Sequence, residues 1–474
     1  MTRDDRTRPP HGARISMTGS PSGLFGELFV DREMAALFDD RATLQGMLDF
    51  EAALARAEAE VGIIPQQAAG AIAAQCDASL YDPTEIGRAA TLAGNPAIPL
   101  VKALTARVAA QDTEAAKWVH YGATSQDVID SGAAQQQRAA YTLLLDRSAR
   151  LAHALARLAR THRHTPMIGR TFLQQAVPIP FGLKAAQWLD PVVAWHDDFM
   201  LYGQSSHQLG GAAGTLASLG DQAPAVQEAF GRIMPSIGAV MTPSHTARAR
   251  QARIAAQLGI LTGHLGKIAL DVALMAQTEI AELAEPEAPG KGGSSAMPHK
   301  RNPVLCTLIL SAAKRTPGLV AMMLAAMPQE HERGLGGWHA EWPTMRDLHL
   351  TAGAALSQTV ALIEGLQVFP EAMRRNLDLT NGLVMAERVS LALADSLGRG
   401  AAHHLLEEAS RACVASGRHL RDLLAEDATV SARLSPADLD ALFDPVTYRG
   451  ASDAIIDRIL VAYEEEREHM TGHA

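Results

Sequence analysis

The sequence predicts an all-α protein built around long helices, and three observations carry that expectation. Ala, Leu and Gly dominate, aromatic residues make up only 4%, and runs of β-branched residues are scarce, a balance that favours helix over sheet. Apolar residues recur at helical spacing over long stretches. The segments between those stretches are polar and broken by Gly, Pro and Asn.

Structure is expected to begin near Leu24, after a disordered tail (1–23) of Arg, Asp, Pro, Gly and Ser. That tail has no apolar run and does not read as a signal peptide. From Arg41 to Gly62, Leu44, Met47, Leu48, Leu54 and Val61 form one helical stripe, closed by Gly62 and Pro65. Thr91 to Pro99 reads as a loop, and His120 to Gly132 as a second break. Gln135 to His162 is a strong helix with Leu145, Leu151, Leu155 and Leu158 on one side. Gly169 to Gly182 is a third break, followed by a helix through Trp195, and residues 209–220 are a Gly-rich interruption. Arg253 to Glu285 is apolar on nearly all sides and predicts a helix roughly 50 Å long, which several partners must bury. Beyond Asn381 the helices become shorter and more charged, punctuated by Pro436, Pro445 and Gly450. The expected domains are an N-terminal helical domain (24–130), a central long-helix bundle (131–380) and a C-terminal helical cap (381–474), with no fixed-period repeat.

With 42 Lys and Arg against 52 Asp and Glu, the formal net charge is −10. This argues against a nucleic-acid partner, which would need clustered cations. The three cysteines, Cys76, Cys306 and Cys413, are far apart and odd in number, which fits a reducing, cytoplasmic compartment and neither a disulfide framework nor a zinc module. No window approaches 18 uninterrupted apolar residues, so no membrane span is expected.

The most informative loop runs from Gly290 to Pro303, reading GKGGSSAMPHKRNP. Removing a proton next to a carboxylate puts two negative charges on one carboxyl group. Preorganised N–H donors, a lysine and an asparagine in a dry site can hold that intermediate. The glycines let backbone N–H groups approach closely and let the loop close as a lid. Ser294 is then placed to act as the base, since the same donors favour its alkoxide.

The string GSSAMPHKRNP resembles the signature of the fumarase/aspartase superfamily, and two further segments are similar to that superfamily in the expected order: GATSQD at Gly122 to Asp127 and GRTFLQQAVPIPFG at Gly169 to Gly182. The resemblance covers the chain from about Leu24 to about Leu460. It implies that Ser294 is the catalytic base and that Lys300 and Asn302 hold the substrate carboxylate. It also implies that Thr124, Ser125 and Gln126 bind a second carboxyl group, with His120, Thr171 and Phe172 lining the cleft. A metal-free, cofactor-free reaction and a homotetramer with sites shared between subunits are implied as well.

Two departures narrow the choice. Fumarases and adenylosuccinate lyases carry a histidine after the Thr of the GRT segment and a glutamate four places after the signature's NP; here those places hold Phe172 and Thr307. An apolar residue at the Phe172 site resembles bacterial 3-carboxy-cis,cis-muconate cycloisomerases, as do MLDFEAALARAEA (47–59), AGNPAIPLVKAL (93–104), MPQEHERGLGGWHAEW (327–342) and RRNLDLTNGLVMAE (374–387). Yet those enzymes often read Trp-His-Thr-x-Arg-Asp-Arg where this chain has Ser244-His245-Thr246-Ala247-Arg248-Ala249-Arg250. That change keeps a second expectation open, a lyase on a substituted succinate such as the nitrosuccinate lyases, whose nitrite leaving group needs no protonating histidine. A non-catalytic relative of the crystallin kind is a third, against which the retention of Ser294, Lys300, Asn302 and Thr124 counts. His331, His339 and Glu341 invite a metal reading, but their spacing lacks a paired i, i+4 ligand set. Residues 209–215 resemble a dinucleotide loop only weakly, with no preceding strand. Arg248 reads as a carboxylate ligand or as a solvated arginine.

Overall fold

A computed structural model describes residues 25–234, 243–288, 292–293, 297 and 300–471. In chain order the first helices are α1 (Arg32–Leu37), α2 (Asp40–Val61), α3 (Gln66–Ala73), α4 (Pro83–Ala93), α5 (Ala97–Ala109) and α6 (Ser125–Thr161). Next come α7 (Phe181–Tyr202), α8 (Ala223–Ile233), α9 (Ala249–Met275), α10 (Val304–Ala325) and α11 (Gly337–Glu364). The last are α12 (Pro370–Leu377), α13 (Ala386–Leu397), α14 (Arg399–Ser416), α15 (Leu420–Glu426), α16 (Ala428–Ser431), α17 (Pro436–Leu442) and α18 (Ser452–Thr471). The predicted all-α class holds, apart from two small antiparallel pairs: β1 (Pro166–Thr171) with β2 (Gln174–Pro180), and β3 (Leu283–Ala284) with β4 (Gln367–Val368).

The chain divides into two compact units. The first takes residues up to Leu143 with Tyr202–Ala256 and Gly318–Ala354; the second takes Leu144–Leu201, Gln257–Pro317 and Ala355–Ala474. The core of the first is a cluster of buried side chains from α2, α3, α5, α8 and the start of α6, among them Met47, Phe50, Leu54, Leu100, Leu104, Val128 and Phe230. Two of its helices cross closely at Gly46 and Gly132, where a methyl on Gly46 would stand 2.8 Å from the Gly132 carbonyl oxygen. Within the second unit, Val389, Leu393, Leu406, Leu420, Leu424, Val430 and Leu439 form an apolar cluster of their own.

Several predicted boundaries move, each for a physical reason. The break expected at His120 to Gly132 is helical from Ser125, because Asp127 reaches back to the Thr124 N–H at 3.1 Å and closes the first turn. The loop expected over Thr91 to Pro99 narrows to Gly94–Pro96 between α4 and α5. The third break is instead the β1–β2 hairpin. Its tip residues, Phe172 and Leu173, have φ of 50° and 65°, the left-handed values of a tight hairpin turn that Asn-Gly usually supplies. The helix expected to reach Glu285 stops at Met275, making it about 40 Å long; the chain then turns so that Glu282 meets Arg170 and Asn376. By length and composition, α9 and α10 are apolar enough to cross a membrane. Interruptions by Gly, His, Lys and Thr hide this from a count of uninterrupted apolar residues.

Candidate active site

The GATSQD segment is fixed from beneath by one carboxylate. Asp127, fully buried, accepts hydrogen bonds from the backbone N–H groups of Thr124 (3.1 Å), Gly210 (3.0 Å) and Gly211 (2.8 Å), and pairs with His245 Nε2 at 2.9 Å. This ties the start of α6 to the Gly-rich segment after Leu209, so the Gly pattern serves as backbone close to a carboxylate and not as a dinucleotide loop. Thr124 and Ser125 lie at the head of the helix, half-buried.

Gln126 and Arg248 are not placed as the sequence suggested. The Gln126 side chain is wholly buried: its amide donates to the His245 carbonyl (2.8 Å) and to Asp130 (3.3 Å) and accepts from Arg333 Nε (3.1 Å). Arg248 is 5% exposed, so it is no solvated arginine. Its Nε and Nη2 hold Glu341, its Nη1 and Nη2 hold Asp130, and its Nη1 also meets the Ser244 carbonyl. All five guanidinium N–H groups are thereby engaged within the protein. Both residues support the segment in front of them and have no donor left for a substrate. Glu341 is pushed up by burial and held back by Arg248, so an ion pair, not a metal, accounts for it.

His120 stands just before this segment with φ of 60°. Its Nδ1 is 2.7 Å from Oε1 of Glu51, a carboxylate on α2 that is 1% exposed. Burial alone would depress this imidazole, but the charge and hydrogen bond of Glu51, with Asp127 behind, raise it above its ordinary 6.5. Glu51 carried no sequence signal beyond being an acid inside an apolar helical run.

The second unit holds the other segments. Thr171 ends β1 opposite Gln174, and Phe172, at the hairpin tip, is 99% exposed. Beneath the tip, Arg170 makes a two-pronged pair with the buried Glu282, at 2.9 and 2.7 Å, and the Asn376 amide donates to the same carboxylate at 2.8 Å. Gln175 in turn donates to the Asn376 carbonyl at 3.0 Å. The first asparagine of the RRNLDLTNG stretch, Asn376, is thus a brace for the hairpin.

Ser294 lies outside the described residues, but the stem of its loop is defined. Gly292, at φ 69°, receives the Asn302 N–H on its carbonyl at 2.9 Å, and a Cβ there would sit 2.8 Å from the Asn302 carbonyl oxygen, so only glycine fits. Glu285 accepts from the N–H groups of Leu305 (3.1 Å) and Cys306 (2.8 Å), capping α10 with a negative charge. Arg301 pairs with Glu287. A cavity of about 1080 Å³ lies here, lined by Glu285, Glu287, Lys300, Asn302 and Phe369 among others. Lys300 and Asn302 therefore share one cleft, with Lys300 exposed. His120, Thr124, Ser125, Gln126 and Arg248 belong to the first unit, and Thr171, Phe172, Lys300 and Asn302 to the second.

Comparison with known proteins fits these parts into one lineage. The family described as lyase matches residues 30–318, and that described as the adenylosuccinate lyase C-terminus matches 382–459. The chain belongs to the fumarase/aspartase superfamily of lyases. It is 49% identical over 452 residues to the 3-carboxy-cis,cis-muconate cycloisomerase of Bradyrhizobium diazoefficiens, covering 95% of this chain and all of that one. It is also 42% identical over 460 residues to the nitrosuccinate lyase of Streptomyces davaonensis, covering 95% and 97%. The crystal structure of the 3-carboxy-cis,cis-muconate lactonizing enzyme of Pseudomonas putida superposes with a TM-score of 0.90 at 46% identity, covering 93% of this chain and 99% of that one. This chain is an enzyme of that superfamily.

Proposed function

We propose that the enzyme is a 3-carboxy-cis,cis-muconate cycloisomerase that forms 4-carboxymuconolactone. One carboxylate oxygen of the substrate bonds to a carbon of the diene, the neighbouring carbon accepts a proton, and one proton is taken up overall. Ser294 delivers that proton, or removes it in the reverse direction. Lys300 and Asn302 hold the carboxylate whose charge doubles in the intermediate. Thr124 and Ser125, at the head of α6, receive a second carboxylate, where N-terminal helix N–H groups favour an anion. His120 lines the same cleft.

The observation that most supports this substrate is the 49% identity to a protein of that name along essentially both full lengths. The hairpin tip agrees with it: Phe172 offers no acid, and an attacking carboxylate needs none. A nitrite-eliminating lyase is the second reading, favoured by the 42% identical relative and by the altered stretch from Ser244 to Arg250. Supplying 3-carboxy-cis,cis-muconate and nitrosuccinate in turn separates them, because the first loses its diene absorbance and the second releases nitrite. Ser294→Ala should lower kcat by about three orders of magnitude or more, with little change in KM; near-normal turnover would remove Ser294 from the mechanism.

The working form is a homotetramer with sites shared between subunits. In the single chain only 22% of the most apolar stretch of α10 is buried, against 50% for α9, and Met322 and Leu324 are about half exposed. Apolar helix faces of this extent call for cover by further copies. We assign the enzyme to the cytoplasm, in keeping with three cysteines that form no disulfide.

A further inference from the structure

Glu51 is an expensive residue to bury. It is 1% exposed, its Oε1 meets His120 Nδ1 at 2.7 Å, and its Oε2 has no hydrogen-bond partner among the described residues. An ionised carboxylate in such a place costs several kcal/mol unless it is paired. The groups around it do not neutralise it. Glu58, on the same helix and wholly buried, has no partner for either oxygen among the described residues, and burial together with Glu51 pushes it up to about 9, so it keeps its proton at neutral pH. The Cys76 thiol is pushed above its usual range by burial, then by Glu51 and Asp49, with Arg56 opposing, and stays neutral. Asp127 adds a second negative charge near the ring from α6. Among the described residues, the partner left to balance Glu51 is His120.

His120 is held with equal firmness. Its positive φ of 60° is unusual for a residue with a side chain and stores strain that the surroundings must sustain. With Nδ1 committed to Glu51, the ring has one polar atom left, Nε2, and the side chain is 19% exposed. The next residues but one begin the segment that heads α6.

We propose that Glu51 is a positioning residue that holds His120 as an imidazolium and fixes its Nε2–H for a carboxylate of a polycarboxylate ligand received at the Thr124–Ser125 helix head. The proposal rests on the reading above that His120 faces the substrate cleft. The Glu51–His120 pair gives that carboxylate a cation that pH can remove. The direction follows from the raised imidazole: the charge is present at low pH and is lost as pH rises through the elevated value, so carboxylate affinity weakens on the alkaline side.

The test combines histidine NMR with ligand binding. The His120 signal, assigned by its loss in His120→Asn, should titrate above 6.5 in the wild-type enzyme and move down in Glu51→Gln. Binding of tricarballylate, a tricarboxylate that undergoes no turnover, should weaken about tenfold in Glu51→Gln at a pH below the wild-type His120 titration, and weaken in the wild-type enzyme as His120 loses its proton. Under turnover, KM for 3-carboxy-cis,cis-muconate should rise by a similar factor while kcat stays within about twofold. A wild-type His120 that titrates at or below 6.5 overturns the proposal, also where Glu51→Gln fails to fold. So does an unchanged tricarballylate affinity in a folded Glu51→Gln. Absence of turnover with 3-carboxy-cis,cis-muconate while the titration and tricarballylate arms behave as stated would sink the substrate assignment and leave this pairing intact.

Discussion

The head of α6 and the stem of the signature loop, both proposed to grip carboxylates, are built in opposite ways. Behind Thr124 and Ser125 the supports point into the protein: Asp127 accepts three backbone N–H groups and pairs with His245, Gln126 spends its whole amide inward, and Arg248 is locked between Asp130 and Glu341. Lys300, by contrast, is exposed, and its neighbourhood is tied by a few bonds: the Lys300 N–H to Met297 at 3.1 Å, the Asn302 N–H to Gly292 at 2.9 Å, and the Glu285 cap on α10. The contrast teaches a division of labour. The head of α6 is a surface fixed by folding, the kind of preorganisation that lowers the cost of binding. At the stem, Gly292, Asn302 and Glu285 fix only the residues that flank the signature string.

If the anchor is a folding element first, breaking it should cost stability before it costs chemistry. Arg248→Leu leaves Asp130 and Glu341 facing each other in a buried site with the balancing charge gone. Stability should fall by about 3–5 kcal/mol, read as a lower urea midpoint with an unchanged slope. A loss below about 1 kcal/mol would show that the network reorganises and that the anchor is not rigid. Lys300→Ala should do the reverse. An exposed lysine contributes little to stability, so the midpoint should move by under about 0.5 kcal/mol, while kcat/KM for 3-carboxy-cis,cis-muconate should drop about 100-fold, equivalent to about 2.7 kcal/mol of transition-state stabilisation. Equal losses of stability in the two variants would erase the distinction.

The same contrast governs what the sequence discloses. The long apolar stripes declare the helical class, and the Gly-rich string around Ser294 declares its chemistry, because both depend on local pattern. What depends on tertiary partners stays silent. Phe172 and Leu173 turn a hairpin without the glycine or asparagine that would announce it, since the Arg170–Glu282 pair and Asn376 hold the strands below. α9 likewise ends early, at Met275, whose carbonyl takes the Glu282 N–H at 2.9 Å. Arg248 looks like a free cation until Asp130, 118 residues away, and Glu341, 93 residues away, are brought to it. Glu51 is one acid among several on α2, and only the fold shows that it meets a histidine near the site. Motif resemblance proposes Thr124, Ser125, Lys300 and Asn302 as ligand contacts, but it does not show the inward bonding of Gln126 and Arg248, whose polarity serves the interior.

The stem offers the finest test of how much order the loop needs. Glu285 joins the residues before the loop to the start of α10 by accepting two backbone N–H groups there, at 2.8 and 3.1 Å. A negative charge at a helix N-terminus is also favoured by the helix dipole. Glu285→Ala removes both contributions and should cost about 1 kcal/mol of stability, a smaller loss than at Arg248 because no buried charge is left unbalanced. Lys300 and Asn302 lie just ahead of that helix, so loosening its first turn should raise KM a few-fold while the Ser294 chemistry, measured as single-turnover rate at saturating substrate, stays within about twofold. A single-turnover rate that collapses with this mild loss of stability would mean that the stem sets the geometry of proton transfer, and that the loop is as preorganised in action as the anchor at α6.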